Sequence, residues 1–294
     1  MSHGEESLTV YGELDQGQRI RRLGVSFGRG HLDKRLDGES ATGSALAEVV
    51  PIQSLGPDSH ELIEGGPSGR RRLLDWGVFH VERGYLEAWQ RYRRLLGQRN
   101  TALKGPGPPA TELRVWTTAL SETGEDMHRL RAAYVARLGV SVAEQGQALL
   151  GADLTLEYRR GWPPGVSLEH ALAASESRDR LSGHTEVGPH RADIAVYVDG
   201  RKVETVASRG QQKLVVAALI LAQEQVLSAA LGARGLLLVD DPAAELDSDA
   251  LDRLVARLLR IESQLIFTGL GPIALPSDVS CARFHVERGR VRAL

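Results

Sequence analysis

The stretch LLLVDDPAAELD, Leu236 to Asp247, runs four apolar residues into two adjacent carboxylates and, after a turn, a third acid. An apolar strand ending in Asp240 and Asp241 delivers both acids at the edge where α/β sheets bind ligands. There Asp240 can hold Mg²⁺ through water while Asp241 polarises an attacking water. The same residues also suit a buried strand that leaves its sheet at Pro242. Upstream, SRGQQKLVVAALILAQ opens a long apolar helix with a polar turn of Ser208, Arg209, Gly210 and Gln211. The turn amides, the Ser208 hydroxyl and the positive helix end make an anion site, the plain alternative being an N-capped core helix.

Cradling a nucleotide's phosphates takes Gly-Lys-Ser/Thr after a strand. The four lysines, Lys34, Lys104, Lys202 and Lys213, follow Asp33, Leu103, Arg201 and Gln212, so none completes that motif. GRGHLDK, from Gly28 to Lys34, has the wrong spacing and an acid where the last glycine belongs. Thr268 ends a predicted buried strand, where it either caps the strand or sits beside a bound phosphate. His184, Glu186 and His190 could gather a metal, although such residues on a turn are more often hydrogen-bonding loop groups. Arg70, Arg71 and Arg72 either meet phosphates or form a solvated charge run.

Positioning these residues requires the following elements. Alternation over residues 7 to 27 predicts a half-buried hairpin, followed by the turn-rich connection GRGHLDKRLDGESATG. From Pro67 to about Leu150 the pattern is helical, broken once by GPGPP at Gly105 to Pro109. Tyr85, Trp89, Tyr92, Leu96 and Leu103 share one helical face while Arg91, Arg94 and Gln98 fall on the other. Arg99 and Lys104 lie nearby, making a basic outer face. LTLEYRRGW reads as a strand and Leu168 to Leu181 as a helix ending near Gly183. ADIAVYVDGRKVETVAS reads as two strands about an Asp199-Gly200 turn. Beyond it, helices at Gln211 to Leu231 and Ser248 to Ile261 alternate with buried strands at Gly235 to Val239 and Gln264 to Thr268, as in parallel α/β folds.

A formal charge of -2 supplies no global field for nucleic acid or membrane, so any DNA contact must be local. With Cys281 alone, no intramolecular disulfide can form, and a reducing cytoplasm fits. The longest apolar run, Leu214 to Ala222, is short of the roughly 20 residues that span a bilayer. MSHGEESLTV has neither the basic start nor the apolar segment of a targeting signal.

The Ser208 turn resembles the signature motif of ABC-type ATPases, which faces the nucleotide held by a second subunit; LLLVDD resembles their Walker B strand and AELD their D-loop. The likeness narrows to the RecF family of DNA repair proteins. LGPDSHELIEGGPSGRRRLLDWGVFH, RLLGQRNTALK, SRDRLSGHTEVGPHRADI, SRGQQ and LLLVDDPAAELD are similar to that family's blocks, in order, over nearly the whole chain. The resemblance implies an α/β ABC/SMC-type ATPase head over residues 1–63 and 182–294, incomplete at its N-terminal side, with an inserted helical arm over 64–181. It implies ATP and Mg²⁺ as cofactors, with Asp240 and Asp241 catalytic, Asp240 on the metal, and Ser208, Arg209, Gly210, Gln211, Asp247 and Thr268 toward nucleotide. It further implies an ATP-dependent homodimer on double- and single-stranded DNA at gaps and stalled forks, with RecR and RecO as partners; the basic face of Arg91, Arg94, Arg99 and Lys104 and the run at Arg70 and Arg71 are the residues expected to meet that DNA. The family's Walker A segment precedes every block matched here, so the chain is expected to be inactive alone. A transporter ATPase subunit, which lacks so long a helical span, and a DNA- or protein-interaction module without nucleotide chemistry are the rival readings.

Overall fold

The computed structural model describes residues 6–15, 19–28, 30–104, 110–232 and 235–294. The chain opens with an antiparallel meander, β1 (Ser7–Asp15), β2 (Ile20–Gly28), β3 (His31–Leu36) and β4 (Glu39–Ser40), paired in that order. The hairpin follows the sequence reading, but the expected connection after Gly28 carries two more strands. They are joined at Asp37-Gly38, whose φ values of 53° and 88° match a two-residue hairpin turn. Register places Leu8, Phe27 and Leu32 side by side, and all three are exposed. The apolar face that alternation predicts to be half-buried therefore stands open among the described residues.

α1 (Gly43–Val49) follows, N-capped by the Thr42 hydroxyl, and leads to β5 (Ile52–Leu55). Four helices come next: α2 (Glu61–Glu64), α3 (Pro67–Val81), α4 (Tyr85–Lys104) and α5 (Ala110–Leu150). The helical region breaks between α3 and α4 as well, where Glu82 is extended and Gly84 has φ 81°. The break predicted at GPGPP lies outside the described residues. On α4, Tyr85, Tyr92 and Leu103 are buried while Arg91, Arg94 and Gln98 face outward, as the spacing predicts.

β6 (Leu154–Arg159) pairs antiparallel with β7 (Asp193–Val198), and between them α6 (Leu168–Ser182) is capped by Ser167 and closed by left-handed Gly183. After the Asp199-Gly200 turn, β8 (Arg201–Lys202) is only two residues long. Val203, fully buried, takes the chain out of the sheet into α7 (Val203–Val206), where a longer strand was expected.

The centre is α8 (Arg209–Leu231), whose residues from Gln212 to Glu224 are all buried. A helix apolar on every side belongs in a core or a membrane. α8 has the length and composition for either, and 72% of its apolar window is buried within the protein. β9 (Leu236–Asp240), α9 (Ser248–Leu258) and β10 (Gln264–Thr268) complete a parallel sheet of order β10-β9-β5. Leu55, Leu237 and Val239 join α8 in the core, whereas Ile52, Leu238 and Ile266 on the opposite face are exposed. A last hairpin pairs β11 (Phe284–Glu287) with β12 (Arg290–Ala293).

Candidate nucleotide-facing site

β9 leaves the sheet at Asp240, and the next residues fold into a tight turn in which Asp241 and Glu245 hold φ of 43° and 68°. Side chains with a Cβ seldom occupy that region, so the surroundings must hold the turn. The Thr268 hydroxyl, at the end of β10, donates to the Asp240 carboxylate, and the Asp241 N–H donates to the Thr268 carbonyl at 2.9 Å. The structure thus brings together Asp240, Asp241 and Thr268 at the C-terminal edge of the sheet. Asp247 goes elsewhere: its carboxylate accepts the Ala250 N–H at 2.8 Å as the N-cap of α9.

Against this acid turn lies the start of α8. Ser208 caps the helix by accepting the Gln211 N–H at 3.4 Å, and the Gln211 side chain accepts the Ser208 N–H at 2.9 Å, a reciprocal capping box. The first-turn amides of Arg209 and Gly210 have no partner within the helix, so that end keeps its positive field. Arg209 projects outward, 68% exposed, with Nη1 3.9 Å from the Glu245 carboxylate. Gly210 is required by contact, because a Cβ there would stand 2.6 Å from the Glu245 carbonyl oxygen. Lys213, a residue without a role in the sequence reading, is fully buried and donates from Nζ to the carbonyls of Asp241 at 3.0 Å and Ala244 at 2.8 Å. Burial pushes its ammonium below the usual lysine range. Its position as the third residue of the predicted helix, just before a long apolar run, is a signal that could have marked it.

The basic residues divide. Arg99 is 0% exposed and donates to the Asp179 carboxylate at 2.8 Å and the Thr185 hydroxyl at 2.7 Å. Arg70, also buried, meets the Asp193 carboxylate with Nε and Nη2 at 2.9 and 3.0 Å and the Ile63 carbonyl at 2.8 Å. Arg71 donates to the Ala192 carbonyl at 2.9 Å, and burial lowers its affinity for a proton. The expectation that Arg70, Arg71 and Arg99 face nucleic acid is therefore corrected: their guanidiniums are turned inward onto partners within the protein. Arg91, Arg94 and Lys104 remain exposed.

These inward arginines tie distant blocks of sequence together. Arg131 joins them, donating to Asp75 and the Pro189 carbonyl, each at 2.7 Å. The Tyr92 hydroxyl meets His190 Nδ1 at 2.8 Å, and the other His190 nitrogen lies 2.9 Å from the Thr185 carbonyl. The RRRLLDW and GPHRAD segments thus form a clasp between α3, α4, α5 and the entry to β7. Burial lowers the His190 pKa to about 4, and both ring nitrogens are engaged, which removes it from a metal set. His184 hydrogen-bonds the Ser182 carbonyl. Among the described residues no three His, Cys, Asp or Glu gather to hold a metal alone.

The residues fit half of a nucleotide site: an anion-facing helix start and a carboxylate pair open to a water-coordinated cation. Lys213 cannot supply the phosphate-cradling lysine, since its donors are spent on two carbonyls.

Strand order, the acids at the end of β9 and the capped start of α8 define an α/β ATPase fold of the ABC/SMC type. The structure superposes with a TM-score of 0.85 and 22% identity on "recombination mediator protein RecF-ATP in RecFOR pathway", covering 99% of this chain and 81% of that one. An SMC head bound to the C-terminal winged-helix domain of ScpA gives a TM-score of 0.54 at 14% identity, over 99% of this chain and 74% of that one. In sequence the chain is 43% identical over 274 residues to the DNA replication and repair protein RecF of Thioalkalivibrio sulfidiphilus (strain HL-EbGR7), 92% of this chain and 76% of that protein. It is 38% identical over 302 residues to that of Stutzerimonas stutzeri (strain A1501), 100% of this chain and 82% of that protein. No model of a protein family matches. The chain belongs to the RecF family.

Proposed function

We propose that this protein serves in DNA repair and replication as one half of a shared, ATP-dependent assembly. The observation that carries the reading is the fusion, at one solvent-facing edge, of a carboxylate pair with an anion-facing helix start. In that assembly Ser208, Arg209, Gly210 and Gln211 meet the phosphates of a nucleotide held by a second family member. ATP, when bound, supplies the negative charge that bridges the two subunits. Asp240 and Asp241 are the groups for Mg²⁺ and water on the chain's own side. DNA, single- or double-stranded, meets the outward face of α4 through Arg91, Arg94 and Lys104. Residues 64–181 act as the DNA-facing arm and residues 1–63 and 182–294 as the head, with gaps and stalled forks as the setting, RecR and RecO as partners and the cytoplasm as the compartment.

Sedimentation of this chain with a full-length relative carrying its own Walker A tests the reading. Mixed dimers are expected only with ATP, and Ser208→Arg here is expected to abolish them by placing bulk and misdirected charge in the turn. Association that is equal without ATP, or with Ser208→Arg, would overturn it. Because the sequence contains no Gly-Lys-Ser/Thr, a second reading keeps the DNA or protein interaction and drops nucleotide chemistry. It predicts association that is equal with and without ATP in the same experiment.

A further inference from the structure

The acid turn and the start of α8 are joined by three contacts within one chain. The Glu245 carbonyl oxygen fills the space that a side chain at position 210 would take. The Arg209 guanidinium stands 3.9 Å from the Glu245 carboxylate. Lys213 reaches from the second turn of α8 to the carbonyls at both ends of the segment 241–244, at 3.0 and 2.8 Å. An ammonium with three carboxylates around it, Glu245, Asp241 and Asp240, would ordinarily pair with one of them. Here it bonds the main chain instead, and so constrains backbone orientation while leaving the Asp240 carboxylate to the Thr268 hydroxyl and the Glu245 carboxylate to Arg209. Within this segment Asp241, which carries one anchored carbonyl, and Glu245, which follows the other, are in left-handed conformation.

We propose that Lys213 is a positioning residue that locks the acid turn to the anion-facing start of α8, so that the two act as one rigid unit. The proposal rests on the shared-site reading and deepens it. In an assembly where the α8 turn of one subunit faces the nucleotide of the other, that unit connects each subunit's own carboxylates to its neighbour's phosphates. Without the anchor, the turn relaxes, the Glu245 carbonyl leaves Gly210, and Arg209 loses the carboxylate that orients it.

The test compares Lys213→Met, which keeps the apolar stem and removes the donors, with Lys213→Arg, which keeps charge and donors. Amide hydrogen exchange is read at Asp241, whose N–H donates to the Thr268 carbonyl, and at Ala244, whose N–H donates to the Asp241 carbonyl. Exchange at both is expected to quicken about tenfold in Lys213→Met, the scale of a lost charge-assisted hydrogen bond, with Lys213→Arg restoring protection. ATP-dependent association with the full-length relative is expected to weaken about tenfold in Lys213→Met and recover in Lys213→Arg. Unchanged exchange would overturn the anchor. Faster exchange with undiminished association would make Lys213 a prop of the turn alone, and overturn its positioning role. A Lys213→Met chain that loses its helical circular dichroism would make Lys213 a residue of the fold and overturn the proposal equally. If the unsubstituted chain fails to associate with ATP, the shared-site reading falls, while the exchange measurement still decides whether the lysine locks the turn.

Discussion

At the scale of single residues, an arginine's role here follows from whether a carboxylate waits for it inside. Arg99 and Asp179 are both essentially inaccessible, and removing one partner strands a buried charge. Arg99→Met is therefore expected to cost about 3–5 kcal/mol in urea unfolding, the range for broken buried pairs. Arg91→Glu with Arg94→Glu should leave that stability within about 0.5 kcal/mol, as exposed substitutions do. The same double substitution is expected to weaken duplex DNA binding at fixed salt and flatten its salt dependence, because fewer phosphate counterions are released. Unaltered DNA binding would mark the α4 face as merely solvated. Sequence spacing separated the two faces of α4 correctly but could not show that Arg99, next to the outward positions, points at Asp179, a residue of a different helix.

At the scale of elements, most of the α/β alternation was legible because it rests on local rules: apolar runs for β9 and β10, a capping serine for α8, a closing glycine for α6. Missing were features decided by distant neighbours. β8 stops after two residues because Val203 is drawn into the core, and the meander gains β3 and β4 through the Asp37-Gly38 turn inside a segment rich in glycine. Asp240, Asp241, Thr268 and the Ser208 turn were legible as candidates; Lys213 was marked only by its charge at the head of an apolar run, since its partners are carbonyls that no side-chain pattern encodes. Asp247 offers a test at this scale. As the N-cap of α9 it should cost about 1 kcal/mol on Asp247→Ala, and Asp247→Ser should recover most of it. A conservative cap that restores stability but not ATP-dependent association would give the carboxylate a second task beyond α9.

At the scale of the whole molecule, two histidines, His190 of the clasp and His80 in the last turn of α3, make stability sensitive to acid. Burial lowers the pKa of both His80 and His190 from the ordinary histidine value to about 4. The folded chain thus keeps both rings neutral where the unfolded chain protonates them. Their contribution is fully present above about pH 6.5 and is lost as pH falls toward 4. Between pH 7 and 5 His190 is expected to remove about 2 kcal/mol of unfolding free energy, and the half-buried His80 less. His190→Gln should make the urea midpoint less sensitive over that interval than in the parent, and an identical decline would show that His190 contributes nothing. The last consequence concerns α5, which runs 41 residues without interruption, about 60 Å at the helical rise. Near one end Glu144 and Gln145 are bonded to Arg257 of α9, and Gln145 also to Gln225 of α8; the other end begins six residues after α4. Such a rod is a strut: held near its Glu144 end by Arg257 and at mid-length by Arg131 on Asp75 and the Pro189 carbonyl, it keeps the α9 contact and the clasp about 20 Å apart along its axis.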